Sequence, residues 1–105
     1  MKMIPQINAT QVALLESMVN GLGAFSQAVP NAKQDAAKDY EAAMESVRDN
    51  EQLVILGLIK DITDTEACKD KIATLFSMTG RLFRVYEISE TGRLMFSGVN
   101  ERVIQ

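Results

Sequence analysis

The chain lacks histidine altogether and contains a single cysteine, Cys68. These absences exclude an internal disulfide, a zinc site of the Cys/His type and any catalysis in which histidine carries the proton. Long hydrophobic runs are also missing, since the longest, residues 53–59, is far shorter than the roughly 20 residues of a membrane-spanning helix. Neither end carries a signal-peptide or lipidation motif, so we expect a soluble cytoplasmic protein.

Positive charge is in the minority. Eleven Lys and Arg residues stand against fourteen Asp and Glu residues, which gives a net charge of −3. Such a chain has no basic field that would draw it to nucleic acid or to anionic lipid. The composition, 47% hydrophobic and 24% charged, is typical of a globular protein, and no repeat or linker divides the sequence. We therefore expect residues 1–105 to form a single domain.

The first two predicted helices follow from the spacing of apolar residues. These residues recur with the period of an amphipathic helix over 9–28 and again over 32–48. Asn8 or Thr10 can cap the first segment and Asn31 the second, because a short polar side chain accepts hydrogen bonds from the free N–H groups of the first turn. The sequence therefore predicts two capped helices in the first half of the chain.

A third helix is predicted over residues 66–79. Thr63 and Glu66 have the spacing of a capping box, and Gly80 stands where a left-handed residue often ends a helix. The helix is expected to bury one stripe of side chains, which consists of Cys68, Ile72, Leu75, Phe76 and Thr79.

The segment just before this helix is ambiguous. Residues 53–62 are apolar on nearly every side, so they fit either a helix that begins at an Asn50 cap or a buried strand. We favour the helix, because Asn50-Glu51-Gln52 resembles a helix start.

The last quarter of the chain changes to the two-residue period of β-strands. Residues 81–88 and 93–97 are rich in β-forming residues, and Ser89-Glu-Thr-Gly92 between them suits a hairpin loop closed by glycine. The predicted fold is therefore α+β, with about four helices packed on a C-terminal antiparallel β-hairpin. In the implied register, one hairpin face joins the core through Tyr86, Ile88, Leu94 and Phe96.

The opposite face of the hairpin is too apolar to be left in water, so we expect a partner or another part of the fold to cover it. It carries Phe83, Val85, Met95 and Val99. Four of the five arginines also lie in or beside the hairpin. We assign Arg84 and Arg93 to the partner surface, because a guanidinium binds carboxylate or phosphate in a bidentate fashion. The alternative is that they pair with neighbouring glutamates.

A second candidate surface is the polar face of the helix predicted over 32–48. Four carboxylates on it either form a docking surface for a basic partner or are simply solvated, and the sequence leaves both interpretations open. They are Asp35, Asp39, Glu41 and Glu45.

No motif for catalysis, for a cofactor or for a metal accompanies these surfaces. The carboxylates lie on a helix face or at a helix junction rather than in a recognisable pocket pattern. We therefore expect a non-enzymatic protein-interaction module without a cofactor or metal. An inhibitor, an adaptor, an immunity-type factor or a homo-oligomeric regulator would fit this description.

An alternative function rests on the order of elements. A helix over 50–62, a short turn, a helix over 66–79 and a hairpin over 81–97 resemble the winged-helix DNA-binding proteins. The resemblance implies DNA contact through the helix 66–79 and the hairpin. The start of that helix, however, offers Glu66 and Asp70 where base contacts are needed, and an acidic domain binds DNA weakly. Protein contact is therefore the preferred prediction.

Overall fold

The computed structural model describes residues 7–95. Helices and strands alternate along them as α1 (Ala9–Asn20), β1 (Ala24–Ala28), α2 (Ala37–Ile55), β2 (Ile59–Asp61), α3 (Glu66–Thr79) and β3 (Phe83–Ile88). A further helix, α4, occupies residues 90–95. The mixed α+β class is therefore confirmed. No helix in this part of the chain is long and apolar enough to cross a membrane.

The three strands form one antiparallel sheet in the order β1-β3-β2. The central strand, β3, is the last of the three in sequence, and both of its neighbours come from far upstream. Phe25 lies opposite Tyr86 on one side, and Ile59 lies opposite Ile88 on the other.

The C-terminal hairpin prediction is wrong. β3 pairs with β1 and β2, and the residues after it turn into α4 instead of a return strand. The loop sequence has a different role from the expected one: the hydroxyl of Ser89 accepts a hydrogen bond from the Gly92 N–H at 3.0 Å, and the Arg93 N–H donates to the Ser89 carbonyl. Ser89 therefore acts as the N-cap of a helix. Residues 96 and 97, the rest of the expected strand, lie outside the described residues.

The first predicted helix is shorter than its apolar spacing indicated. Asn8 and Gln11 form a capping box at its start, so of the two candidate caps Asn8 is the one that the structure has. The helix ends at Asn20, and Gly23, with a φ of +78°, makes the turn into β1. Phe25, which fits the helical period, instead stacks on Tyr86 with ring centroids 5.2 Å apart. A tertiary contact thus decides the structure of this segment.

The second helix lies further along the chain than predicted. Residues 31–35 form a turn in which the Asn31 side chain accepts a hydrogen bond from the Lys33 N–H at 2.8 Å, so Asn31 caps a turn and not α2. α2 continues to Ile55, which places Asn50 inside the helix rather than at a helix start. The ambiguous segment 53–62 therefore contains a helix end, a turn with Gly57 at a φ of +77° and the short strand β2.

The third helix matches its predicted bounds, and Gly80 ends it in the left-handed conformation, as expected. Its N-cap is Thr65 rather than Thr63, so the predicted capping box is wrong. The Thr63 hydroxyl instead accepts a hydrogen bond from the Val85 N–H at 2.9 Å, which extends the β2–β3 pairing. Cys68 is buried as predicted, but Phe76 and Thr79 are exposed.

The core lies on one side of the sheet, where α1 and α2 pack. Its strand residues, among them Tyr86 and Ile88, alternate along β3 with Phe83 and Val85, which therefore face the other side. The buried cluster consists of Leu15, Met18, Leu53, Leu58, Ile59, Tyr86 and Ile88.

Candidate interaction surfaces

The predicted apolar surface is only partly assembled. Phe83 and Val85 do share one face of β3, where both are half-buried. Met95 does not join them, because it lies in α4 and packs against the core cluster on the other side of the sheet. Val99 lies outside the described residues. The hairpin face that was expected to unite these four residues is therefore not formed by residues 83–95.

The arginines assigned to the partner surface are placed differently from one another. Arg84 lies on the core side of β3 and pairs with Asp61, with 3.1 Å between its Nε and the carboxylate. Arg93 is exposed on α4, and its guanidinium lies against Gly23, where a β-carbon would collide with it. Arg84 is thus committed to an internal ion pair, whereas Arg93 is open to solvent.

The acidic surface contains three of its four predicted members. Asp35 precedes α2 and pairs with Arg81 at 2.8 Å, and this guanidinium lowers the pKa of the Asp35 carboxyl. Asp39, Glu41 and Glu45 lie on the exposed side of α2 and form no ion pair within residues 7–95. The exposed part of the predicted acidic surface is therefore confined to α2.

The Asp61 carboxyl responds to two opposing effects. Partial burial by itself would raise its pKa, but hydrogen bonds from Thr63 and Arg84 outweigh burial, so the pKa lies below the ordinary value of 3.8. A lowered pKa means that the ionised carboxylate stabilises the fold above that ordinary value, and that this stabilisation is lost as the pH falls through the lowered one.

We therefore expect Asp61→Asn to destabilise the protein at neutral pH and to have little effect near pH 2. The loss is about 1 kcal/mol or less, because the Arg84 side chain is half-exposed and solvent screens the pair. Urea denaturation of wild type and variant at both pH values measures it. Asp39→Asn is the control, and a loss for Asp61→Asn that is equal at both pH values would contradict the linkage.

An exposed apolar surface lies where α3 ends and β3 begins. Phe76 is 48% exposed and Leu82 is 57% exposed. Both side chains line two neighbouring clefts, one shared with Val29 and Pro30 and the other with Ile72. We refer to these five residues as the Phe76–Leu82 surface. The α3 stripe was predicted to be buried, so the exposure of Phe76 was not foreseen.

A groove of about 260 Å³ opens between α1, β1 and α2. Apolar side chains and uncharged polar ones line it together, with a single carboxylate among them. The lining residues are Thr10, Gln11, Leu14, Phe25, Ser26, Gln27, Ser46, Asp49 and Asn50.

Two buried amides tie the walls of this groove together. The Gln11 amide nitrogen donates to the Asp49 carbonyl at 3.0 Å and to the Gln52 side chain at 2.9 Å. The Asn50 amide donates to Gln27 at 2.6 Å, which joins α2 to β1. The roles of these two amides were not predicted from the sequence. The Asn8-x-x-Gln11 spacing was the one available signal, since it is that of a capping box.

Metal-ligating groups are scattered over the part of the chain that the structure describes. No group of three or more Cys, Asp or Glu residues within residues 7–95 is arranged so that it could hold a metal ion.

Comparison with known protein families, with curated proteins and with solved structures gives no significant match.

Proposed function

We propose that this chain is a non-enzymatic protein-interaction module that binds a protein partner through the Phe76–Leu82 surface. The observation that carries the proposal is the exposure of Phe76 and Leu82 side by side, on the rim of two clefts. Exposed aromatic and aliphatic side chains next to pockets are the usual anchors of a protein interface.

The surroundings of this surface also fit an interface. Arg81 and Gln34 border the cleft next to Pro30, and Asp64 and Lys69 border the cleft next to Ile72. An apolar centre with a polar rim is the common arrangement of protein interfaces. The Arg81–Asp35 ion pair holds part of this rim in place.

The acidic side of α2 supplies a further contribution. Asp39, Glu41 and Glu45 are exposed, and the chain as a whole is acidic. Complementary charge chiefly accelerates association and selects partners. A partner with a basic region beside an apolar patch therefore suits this module, which would then act as an inhibitor, an adaptor or a regulator.

We expect the double variant Phe76→Ser/Leu82→Ser to lose its partner while it keeps its fold. Affinity capture from the native host, followed by mass spectrometry and titration of the captured partner, measures the effect. Loss of two anchors should weaken binding at least about 10-fold. Ile55→Ser is the matched control, because Ile55 is 84% exposed at the end of α2, away from the two clefts.

Two results would contradict the proposal. One is a partner that binds the double variant as tightly as the wild type, with circular dichroism showing both to be folded. The other is capture of DNA with loss of all proteins after nuclease treatment, which would favour the DNA-binding alternative. The hairpin on which that alternative depends is not formed by residues 83–95.

A further inference from the structure

The outer edge of β1 is the feature that the proposed function does not use. β1 has β3 on one side and no strand on the other among residues 7–95. The hydrogen bonds from the Ile88 N–H to the Gly23 carbonyl and from the Val29 N–H to the Leu82 carbonyl fix the phase of the ladder. Because bonded residues alternate along an antiparallel pair, Phe25 and Gln27 bond to β3.

It follows that the backbone N–H and C=O groups of Ala24, Ser26 and Ala28 point away from the sheet. Ala24 and Ser26 are exposed, and Ala28 is half-buried. An open row of this kind is a template for another strand. The ligand that fits this edge is therefore another extended strand, whose backbone N–H and C=O groups complement those of β1.

Natural sheets protect their edges with charge, with proline or by keeping the edge strand short. The other edge strand, β2, has three residues, two of which are Lys60 and Asp61. β1 has five residues, Ala-Phe-Ser-Gln-Ala, and none of these protections. No charged residue occurs anywhere between Glu16 and Lys33, although 24% of the chain is charged.

We propose that β1 pairs with β1 of a second copy of this chain, antiparallel about a two-fold axis at Ser26. In this register Ser26 lies opposite Ser26 of the second copy, and Ala24 lies opposite Ala28, so all three outward-facing residues find partners. Each such pair exchanges two N–H···O bonds. The two sheets then form one continuous sheet of six strands.

The charge distribution favours a second copy as the occupant. The chain carries a net charge of −3, so two copies approach most easily where neither has a charge, and β1 lies in the uncharged segment.

The pairing uses the backbone of Ala24, Ser26 and Ala28, and none of these residues belongs to the Phe76–Leu82 surface, although Val29 and Pro30 of that surface follow β1 directly. Dimerisation can therefore fail while partner binding holds, and the reverse is equally possible. Analytical ultracentrifugation tests the proposal, with a wild-type concentration series that reaches roughly 1 mM. We expect a monomer–dimer equilibrium in this series.

Charge at the two-fold axis provides a sharp test. In the proposed dimer the Cα atoms of the two Ser26 residues lie about 5.5 Å apart. Ser26→Lys or Ser26→Glu alone therefore places two like-charged side chains directly opposite each other, which should weaken the dimer at least about 10-fold at low salt. An equimolar mixture of the two variants places opposite charges there and should restore dimerisation. Ser77→Lys, on the exposed side of α3, adds the same charge elsewhere and should leave dimerisation unchanged.

Amide hydrogen exchange on the wild type tests the edge without any substitution. The amides of Ala24, Ser26 and Ala28 should exchange about 10-fold more slowly in concentrated than in dilute protein, whereas those of Phe25 and Gln27 are protected at both concentrations. A wild type that remains monomeric at the top of the series would overturn the proposal. So would a dimer in which Ser26→Lys and Ser26→Glu each associate as tightly as the wild type.

Discussion

Replacement of Gly92 by alanine should destabilise the protein by about 3 kcal/mol, because α4 crosses the backbone before β2 with no room for a side chain. A β-carbon at residue 92 would collide with the carbonyl oxygen of Leu58 and would lie 2.9 Å from Ile88 Cγ1. The Leu58 carbonyl cannot easily move, since it accepts a hydrogen bond from the Ser89 N–H at 3.1 Å. Urea denaturation followed by circular dichroism measures the loss.

Gly80→Ala is the matched control for this substitution. Gly80 has a φ of +72°, and nothing lies within 4 Å of the position where its β-carbon would be. Alanine there costs only the backbone strain of the left-handed conformation, about 1 kcal/mol. A loss for Gly92→Ala no greater than that for Gly80→Ala would refute the close contact between α4 and the Leu58 carbonyl.

Gln11→Met should cost about 2–3 kcal/mol, although it keeps the length of the side chain. Gln11 is 1% exposed, and its amide forms three hydrogen bonds. Its oxygen accepts from the Asn8 N–H at 2.8 Å, and its nitrogen donates to Asp49 and Gln52 of α2. Methionine removes both functions, and a buried polar group that loses its partner costs about 1–3 kcal/mol.

The effect of Gln11→Met is measured by thermal and urea unfolding, with Gln34→Met as the control. Gln34 is exposed, and its side chain makes one long contact of 3.4 Å with Arg81, so its substitution should change stability by less than about 0.5 kcal/mol. Equal losses for the two variants would show that the α1–α2 amide network contributes no more than an exposed glutamine does.

The sequence predicted best those elements whose signals are local. α3 was found at its predicted bounds, because its apolar period and the left-handed Gly80 lie within one short segment. The cap of α1 was limited to Asn8 or Thr10 for the same reason, and the structure has Asn8 there. Likewise, the two-residue period placed Phe83 and Val85 on one face of a strand, which is where they lie.

The errors arose where two structures share one pattern. Ser89-Glu-Thr-Gly92 fits a hairpin loop, but Ser89 can equally cap a helix by accepting a hydrogen bond from the Gly92 N–H. In the structure it caps α4, and Gly92 packs closely against the Leu58 carbonyl. Phe25 fits the apolar stripe of a longer α1, yet its contact with Tyr86 lies across the sheet. Local periodicity carries no information about such distant partners.

The candidate surfaces show the same limitation. A helix period identifies an apolar stripe, but it does not tell whether the fold supplies enough neighbours to cover it. α3 packs mainly on β3, so Cys68 is buried while Phe76, two turns further along the helix, remains half-exposed. The open edge of β1 could not be predicted from the sequence either, because the order of strands in a sheet depends on contacts along the whole chain.

The position of β3 in the sheet has a consequence for biosynthesis. β1 and β2 both precede β3 in the chain, and they do not pair with each other. No part of this sheet can therefore form until β3 has emerged from the ribosome. Both strand pairings within residues 7–95 join segments that are distant in sequence, which raises the contact order and slows folding. Until then, α1 and α2 have no sheet on which to pack, and the nascent chain exposes the apolar residues of its future core. Chaperone binding during this interval would protect the chain from aggregation.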